Sequence, residues 1–258
     1  SQNSSSWDKH FIQTADIDFA DAVPAINTWN GGAGWDPIGI LTDINNIDRI
    51  YFIGKYNGNH KTISGIYINR PSLGYQSLFR YIDNNAEIKN LGVINLNITG
   101  SSYTGGIVGI NNNGVISNCY STGSVNGDNE TGGLVGTNIS GIISNCYSNV
   151  SVTGTKFNIG GLVGNNWNGT ISNCNSTGNV MSIQYGIGGL VGYNEGIITD
   201  CYSTGDVNGN DNIGGLTGIN SNGYISNCFS TGVVTGNTVT GGLAGSNNKS
   251  TITNSYCT

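Results

Sequence analysis

From Gly105 to the C-terminus, apolar residues return at fixed offsets inside a unit of about 27 residues, with Gly, Asn, Ser and Thr filling the positions between them. A Gly-Gly-aliphatic-x-Gly block starts at Gly105, Gly132, Gly160, Gly188, Gly214 and Gly241, at steps of 27, 28, 28, 26 and 27 residues. Each block is followed by an Asn-rich stretch and then by Ile116, Ile143, Ile171, Ile198, Ile225 or Ile252, which opens an Ile-Ser/Thr-Asn/Asp-Cys segment in the first five copies. The apolar spacing does not follow the three-and-four rhythm of a helix, and helix-forming Ala, Leu, Glu and Lys are scarce. Each unit instead offers three short β-like pieces, in the second copy Gly132 to Gly136, Gly141 to Tyr147 and Asn149 to Thr153, parted by turn-forming residues. The pattern predicts an all-β fold, a parallel β-solenoid of about six three-sided, right-handed coils.

Stacked coils pair in register, so aligned residues become ladders running along the axis. Ile107, Leu134, Leu162, Leu190, Leu216 and Leu243 form an aliphatic column, and Val125, Val152, Val180, Val207 and Val234 form another. Both are expected to line the interior. Residues 1 to 100 lack the repeat but alternate in the manner of a strand at Ile94-Asn95-Leu96-Asn97-Ile98. They are expected to form a cap with longer, irregular coils, continuous in one domain with the solenoid of residues 101 to 258. Thr258 falls in mid-coil, which suggests a fragment of a longer protein and an open rung suited to end-to-end or edge self-association.

The literal Gly-Gly-Leu-Val-Gly at Gly132, Gly160 and Gly188 resembles the GLUG motif of bacterial and archaeal surface proteins. Asp16-Ile17-Asp18-Phe19, Trp35-Asp36-Pro37-Ile38-Gly39, Tyr56 to Gly65 and Ile88 to Gly92 are similar to segments that commonly precede such repeats. Thr217 and Ala244 replace Val in the fifth and sixth copies. The resemblance implies an extracellular or cell-surface location and an adhesin or stalk role, beside IgA-cleaving metallopeptidase domains in some members. It assigns no catalytic residue.

Composition narrows the partners. Only 9% of the 258 residues are charged, the net charge is −6, and the basic residues are scattered, so nucleic acid is excluded as a partner. No run reaches the 18 or so apolar residues of a transmembrane helix. No H-E-x-x-H, G-x-S-x-G or phosphate-loop pattern occurs. The acids within the repeats approach one another only as Asp128/Glu130 and Asp206/Asp211, neither with a basic residue nearby, so the chain reads as a non-enzyme and a polysaccharide-active β-helix enzyme ranks last.

Three sets of residues carry candidate chemistry. Tyr120, Tyr147, Tyr202, Phe229 and Tyr256 follow a predicted bend and should project outward as an aromatic ladder interrupted by Asn175. Aromatic rings beside Thr and Asn suit glycan, so a carbohydrate-binding module is the alternative to a plain adhesin; rings stacking on one another to stiffen the sheet is the structural reading. Asp16, Asp18 and Asp21 are close-spaced oxygen donors, candidate calcium ligands or turn caps. Cys119, Cys146, Cys174, Cys201 and Cys228 share one column, with Ser255 in the sixth copy and Cys257 two further on; the spacing is unlike a zinc site and fits a buried thiol ladder. Asn118, Asn145, Asn173 and Asn227, with Asp200, are expected at the bend, bonding up and down the stack. The expected partner is a host or environmental surface, with glycan as a candidate component.

Overall fold

The structure, a computed structural model, describes residues 7–22, 24–41 and 49–258. It is a parallel β-solenoid in which each copy of the repeat forms one rung. Seven strands, one per rung from Phe79–Ile82 to Ala244–Asn248, stack in one sheet. A second face carries the Ile-Ser strands and the strands after the bend, and a narrow third sheet of five strands runs from Thr131–Gly132 to Thr240–Gly241. Pairing is residue for residue: Tyr120 to Gly127 lies opposite Tyr147 to Gly154 along the whole length.

The rung has more strand segments than the three expected, four in the second coil and five in each of the next three. In the second coil these are Thr131–Gly132, Val135–Ile139, Ile142–Ser144 and Tyr147–Gly154. The Gly-Gly-Leu-Val-Gly block is therefore not a strand; it holds a corner at Gly133 and Leu134. A methyl group on Gly133 would run into the carbonyl of Gly161 on the next rung, and one on Gly132 into the carbonyl of Val135. Only glycine lets the backbones approach that closely. The second corner is set by Asn118, Asn145, Asn173, Asp200, Asn227 and Asn254, all left-handed with φ between 46 and 56°. Asn and Asp tolerate that conformation better than other side chains, which explains the column.

The interior follows the expected ladders. Ile107, Leu134, Leu162, Leu190 and Leu216 are fully buried, as are Val125, Val152, Val180 and Val207. Leu243 and Val234, on the last rung, are only partly buried because a neighbour covers them on one side. A polar ladder runs inside as well. Asn111 Nδ2 donates to Asn138 Oδ1 at 2.7 Å, and Asn138, Asn166, Asn194 and Asn220 each pass the bond to the next rung at 2.8 Å, ending on Asn247. The amides of Asn111, Asn138, Asn166 and Asn194 also donate to a turn carbonyl of their own coil, such as Gly141 O for Asn138. Within this Asn ladder Asn111 Oδ1 is buried without a donor, since Ile82 occupies its place on the rung before.

The N-terminal part continues the stack and then departs from it. Lys55–Ser64 pairs with Glu87–Thr99, which in turn pairs with the first repeat, as irregular rungs of the same face. His10–Ile12 and Ile17–Asp18 lie on Lys55–Ser64, and Ile40–Leu41 pairs antiparallel with Arg49–Ile50. Asp36 fixes this cap: it accepts a hydrogen bond from Arg80 at 3.2 Å and lies 3.9 Å from Arg70, whose guanidinium donates to the carbonyl of Trp35.

Candidate functional site

The outward positions on the strand after the bend form a regular column of rings. Tyr120 and Tyr147 stack with ring centroids 4.8 Å apart and planes at 4°. Tyr202 and Phe229 stack at 4.9 Å and 4°, and Phe229 and Tyr256 at 5.5 Å and 11°. The spacing is that of the rungs themselves, because in-register parallel pairing places identical side chains directly above one another. Ring faces within each run are therefore occupied by neighbouring rings, and only edges and hydroxyls meet solvent. Asn175 pairs with Tyr147 on one side and Tyr202 on the other, so the column splits into a pair of rings and a triplet.

Two flanking columns share this side of the coil. Before the bend lie Val115, Ile142, Thr170, Ile197, Tyr224 and Thr251, in register, with Ile142, Ile197 and Tyr224 each more than 40% exposed. The adjacent Ile116, Ile143, Ile171, Ile198 and Ile225 are buried, and the alternation of a strand places this preceding column outward. After the rings come Thr122, Asn149, Thr177, Thr204 and Thr231, giving hydroxyls and amides beside the aromatic column.

The thiol column sits directly beneath. Cys119, Cys146, Cys174, Cys201 and Cys228 are buried and free, and Cys257 is exposed. Each buried thiol donates to the carbonyl two residues before it, at 3.0–3.2 Å. Cys146, Cys174 and Cys201 also accept the backbone N–H of the cysteine on the preceding rung, at 3.4 Å. Ser255 makes the same pair of bonds, accepting from Cys228 N at 3.0 Å and donating to Thr253 O at 2.7 Å, so serine substitutes for cysteine without loss of a partner. Burial pushes the Cys146 and Cys174 thiols up; for Cys201 and Cys228 the larger cause is the neighbouring thiol's hydrogen bond. Such thiols are poor nucleophiles and structural in role.

The acidic candidates do not converge. Asp16 accepts from the backbone N–H of Thr62 at 2.7 Å and from its hydroxyl, which lowers its pKa. Asp18 accepts from Ala20 N at 2.9 Å, closing its own turn. Among the described residues no group of three acids, His or Cys, Asp21 included, is placed to hold a metal. Asp128, expected to lack a basic partner, has one: Lys156 on the next coil lies 3.3 Å away, while Thr155 and Ser101 donate to the same carboxylate. The pair escapes notice in the sequence because 28 residues separate them. The Thr155 hydrogen bond is the main cause holding the Asp128 carboxyl below the ordinary range.

The profile of the GLUG motif matches residues 100–126, 127–153, 157–181 and 184–208. These four coils are GLUG repeats. The fifth and sixth coils, carrying Thr217 and Ala244, stack in the same register. Halomucin of Haloquadratum walsbyi is 33% identical over 124 residues, 48% of this chain and 1% of that protein. A protein of Evansella cellulosilytica named as a Gly-rich membrane protein is 36% identical over 111 residues, 42% of this chain and 12% of its own length. The chain thus spans a small part of these GLUG-type relatives. A crystal structure from Bacteroides ovatus, named as a candidate immunoglobulin A1 protease, superposes with a TM-score of 0.71 at 21% identity, covering 97% of this chain and 78% of that one. That likeness concerns the fold. Among the described residues no helix is long and apolar enough to cross a membrane.

Proposed function

We propose that this chain is a non-catalytic, extracellular segment of a larger cell-surface protein, acting as a stiff stalk whose outward columns adhere to a host or environmental surface. The observation that carries this reading is the in-register ladder of Tyr120, Tyr147, Tyr202, Phe229 and Tyr256 on a continuously paired sheet. A ladder of aromatic outward groups at regular spacing is a surface suited to repeated, individually weak contacts. The family, the small share of its relatives that the chain represents, and a surface low in charge all favour the same reading. Glycan is the component such a surface would hold, through aromatic rings and flanking hydroxyls and amides.

Beads coated with the purified chain and passed over mucin- and cell-coated surfaces test the proposal. Retention that soluble chain competes away is expected; free passage over every surface would overturn it. The name of the Bacteroides structure favours one competing reading, a segment serving a peptidase. Cleavage of immunoglobulin A or of a polysaccharide by this chain alone would replace adhesion with catalysis.

A further inference from the structure

The interruption of the aromatic column is itself a feature of the surface. At Asn175 the upper ring face of Tyr147 and the facing side of Tyr202 are not stacked on another ring, whereas each has a ring at its back, Tyr120 and Phe229 respectively. Two rung spacings separate them, about 9.6 Å. A group lying midway would sit about 4.8 Å from each ring, the distance at which Tyr120 and Tyr147 already stack. Asn is shorter than Tyr, so its amide forms the floor of a slot whose walls stand higher. That amide makes no side-chain hydrogen bond to the described residues, and its neighbours Asn173 and Thr177, both exposed, stand at the rim. Backing by a second ring holds each wall in place, so little ordering is required on binding.

We propose that the slot over Asn175, between Tyr147 and Tyr202, is a subsite for one pyranose ring of a neutral glycan, its faces against the two tyrosines and its hydroxyls bonded to the Asn175 amide and the Thr177 hydroxyl. The occupant is a sugar because the slot joins two apolar walls to a floor and rim that both donate and accept, without a formal charge in the walls or floor. A buried aromatic side chain would leave the amide unpaired. The inference rests on the adhesive reading above and narrows it to a place. Asn175-Ser176-Thr177 is also an Asn-x-Ser/Thr acceptor site, so the test uses protein from a host that does not glycosylate it.

The decisive variant is Asn175→Tyr, which completes the column and fills the slot with the residue that the fold accepts on the rungs to either side. Wild type and variant are titrated calorimetrically with cellotriose, chitotriose and lactotriose, with folding verified by thermal melting. At least one sugar is expected to bind the wild type in the millimolar range or better. Affinity should fall at least tenfold in Asn175→Tyr and in Tyr147→Ser, and should change less than threefold in Trp167→Ala, an exposed aromatic on the seven-stranded sheet outside the ring column. Equal binding by wild type and Asn175→Tyr, binding of none of the three sugars, or preference for a tyrosine-rich peptide over them would each overturn the subsite. Equal sugar binding by wild type and Asn175→Tyr, with bead adhesion intact in both, would remove this site while leaving the adhesive reading standing.

Discussion

The cap and the repeat coils are stabilised in different ways, although they share one stacked sheet. In the coils a residue's main partner is its own counterpart one rung away: leucine on leucine, asparagine on asparagine, thiol on backbone N–H. In the cap the contacts are unique. Asp36 stands between two arginines, Phe19 packs edge-on against Trp29 at 5.7 Å, and Tyr56 packs against Phe79. A coil substitution therefore perturbs one link of a chain with nearest-neighbour coupling, while a cap substitution removes a contact that nothing duplicates.

The largest expected effect tests the nearest-neighbour rule. Leu162→Ala and Leu190→Ala should each cost about 3–4 kcal/mol, and Leu243→Ala on the half-covered last rung roughly 1 kcal/mol, measured by denaturant unfolding. Equal costs at all three positions would break the distinction between interior and terminal rungs. Asn166→Asp should cost about 3 kcal/mol at neutral pH, because the new carboxylate would face Asn194 Oδ1 and Gly169 O, both acceptors. On acidification much of that loss should return as the carboxyl protonates.

In the cap, Asp36→Asn should cost about 1–2 kcal/mol, leaving the guanidinium of Arg80, already depressed in pKa by burial, without its compensating charge. Hydrogen exchange should then rise in residues 49–82 and stay unchanged beyond the second coil. A uniform rise would mean that cap and coils unfold as one unit.

A further effect is an alkaline one. Cys146, Cys174, Cys201 and Cys228 have folded pKa values raised above the ordinary thiol value of 9.0. Below that value both states are protonated and their contribution is complete; above it the unfolded chain ionises first, so stability falls as pH rises. Each thiol should contribute up to about 1.4 kcal/mol per pH unit in that window. Melting temperatures from pH 8 to 11 should decline less steeply in Cys174→Ser than in wild type. A thiol reagent on native protein should find only Cys257 reacting fast.

Much of the solenoid was legible because repetition converts sequence columns into spatial ladders. The buried Leu and Val columns, the bend at Asn118 and its counterparts, and the buried thiols follow from alignment alone. The corner inside Gly-Gly-Leu-Val-Gly did not, since Gly-Gly before aliphatic residues reads equally as strand or turn until the next rung's carbonyl is in place. The internal Asn ladder was visible as a column six residues after each block, from Asn111 to Asn247, but an Asn-rich stretch next to Gly reads as a surface loop. Burial became apparent only once each amide was seen to satisfy its neighbour. In the aromatic column the sequence located the rings and the break at Asn175, while the closing of ring faces by stacking required rung spacing and ring orientation together.

The central claim is that the repeat coils, through this aromatic column, hold glycan. A glycan array probed with the purified chain and with the Tyr120→Ser, Tyr147→Ser, Tyr202→Ser, Phe229→Ser quadruple variant tests it directly. Signal on neutral glycans by the wild type, lost in a variant that still melts cooperatively, is the predicted result; no signal from the wild type, or equal signal from both proteins, would contradict it.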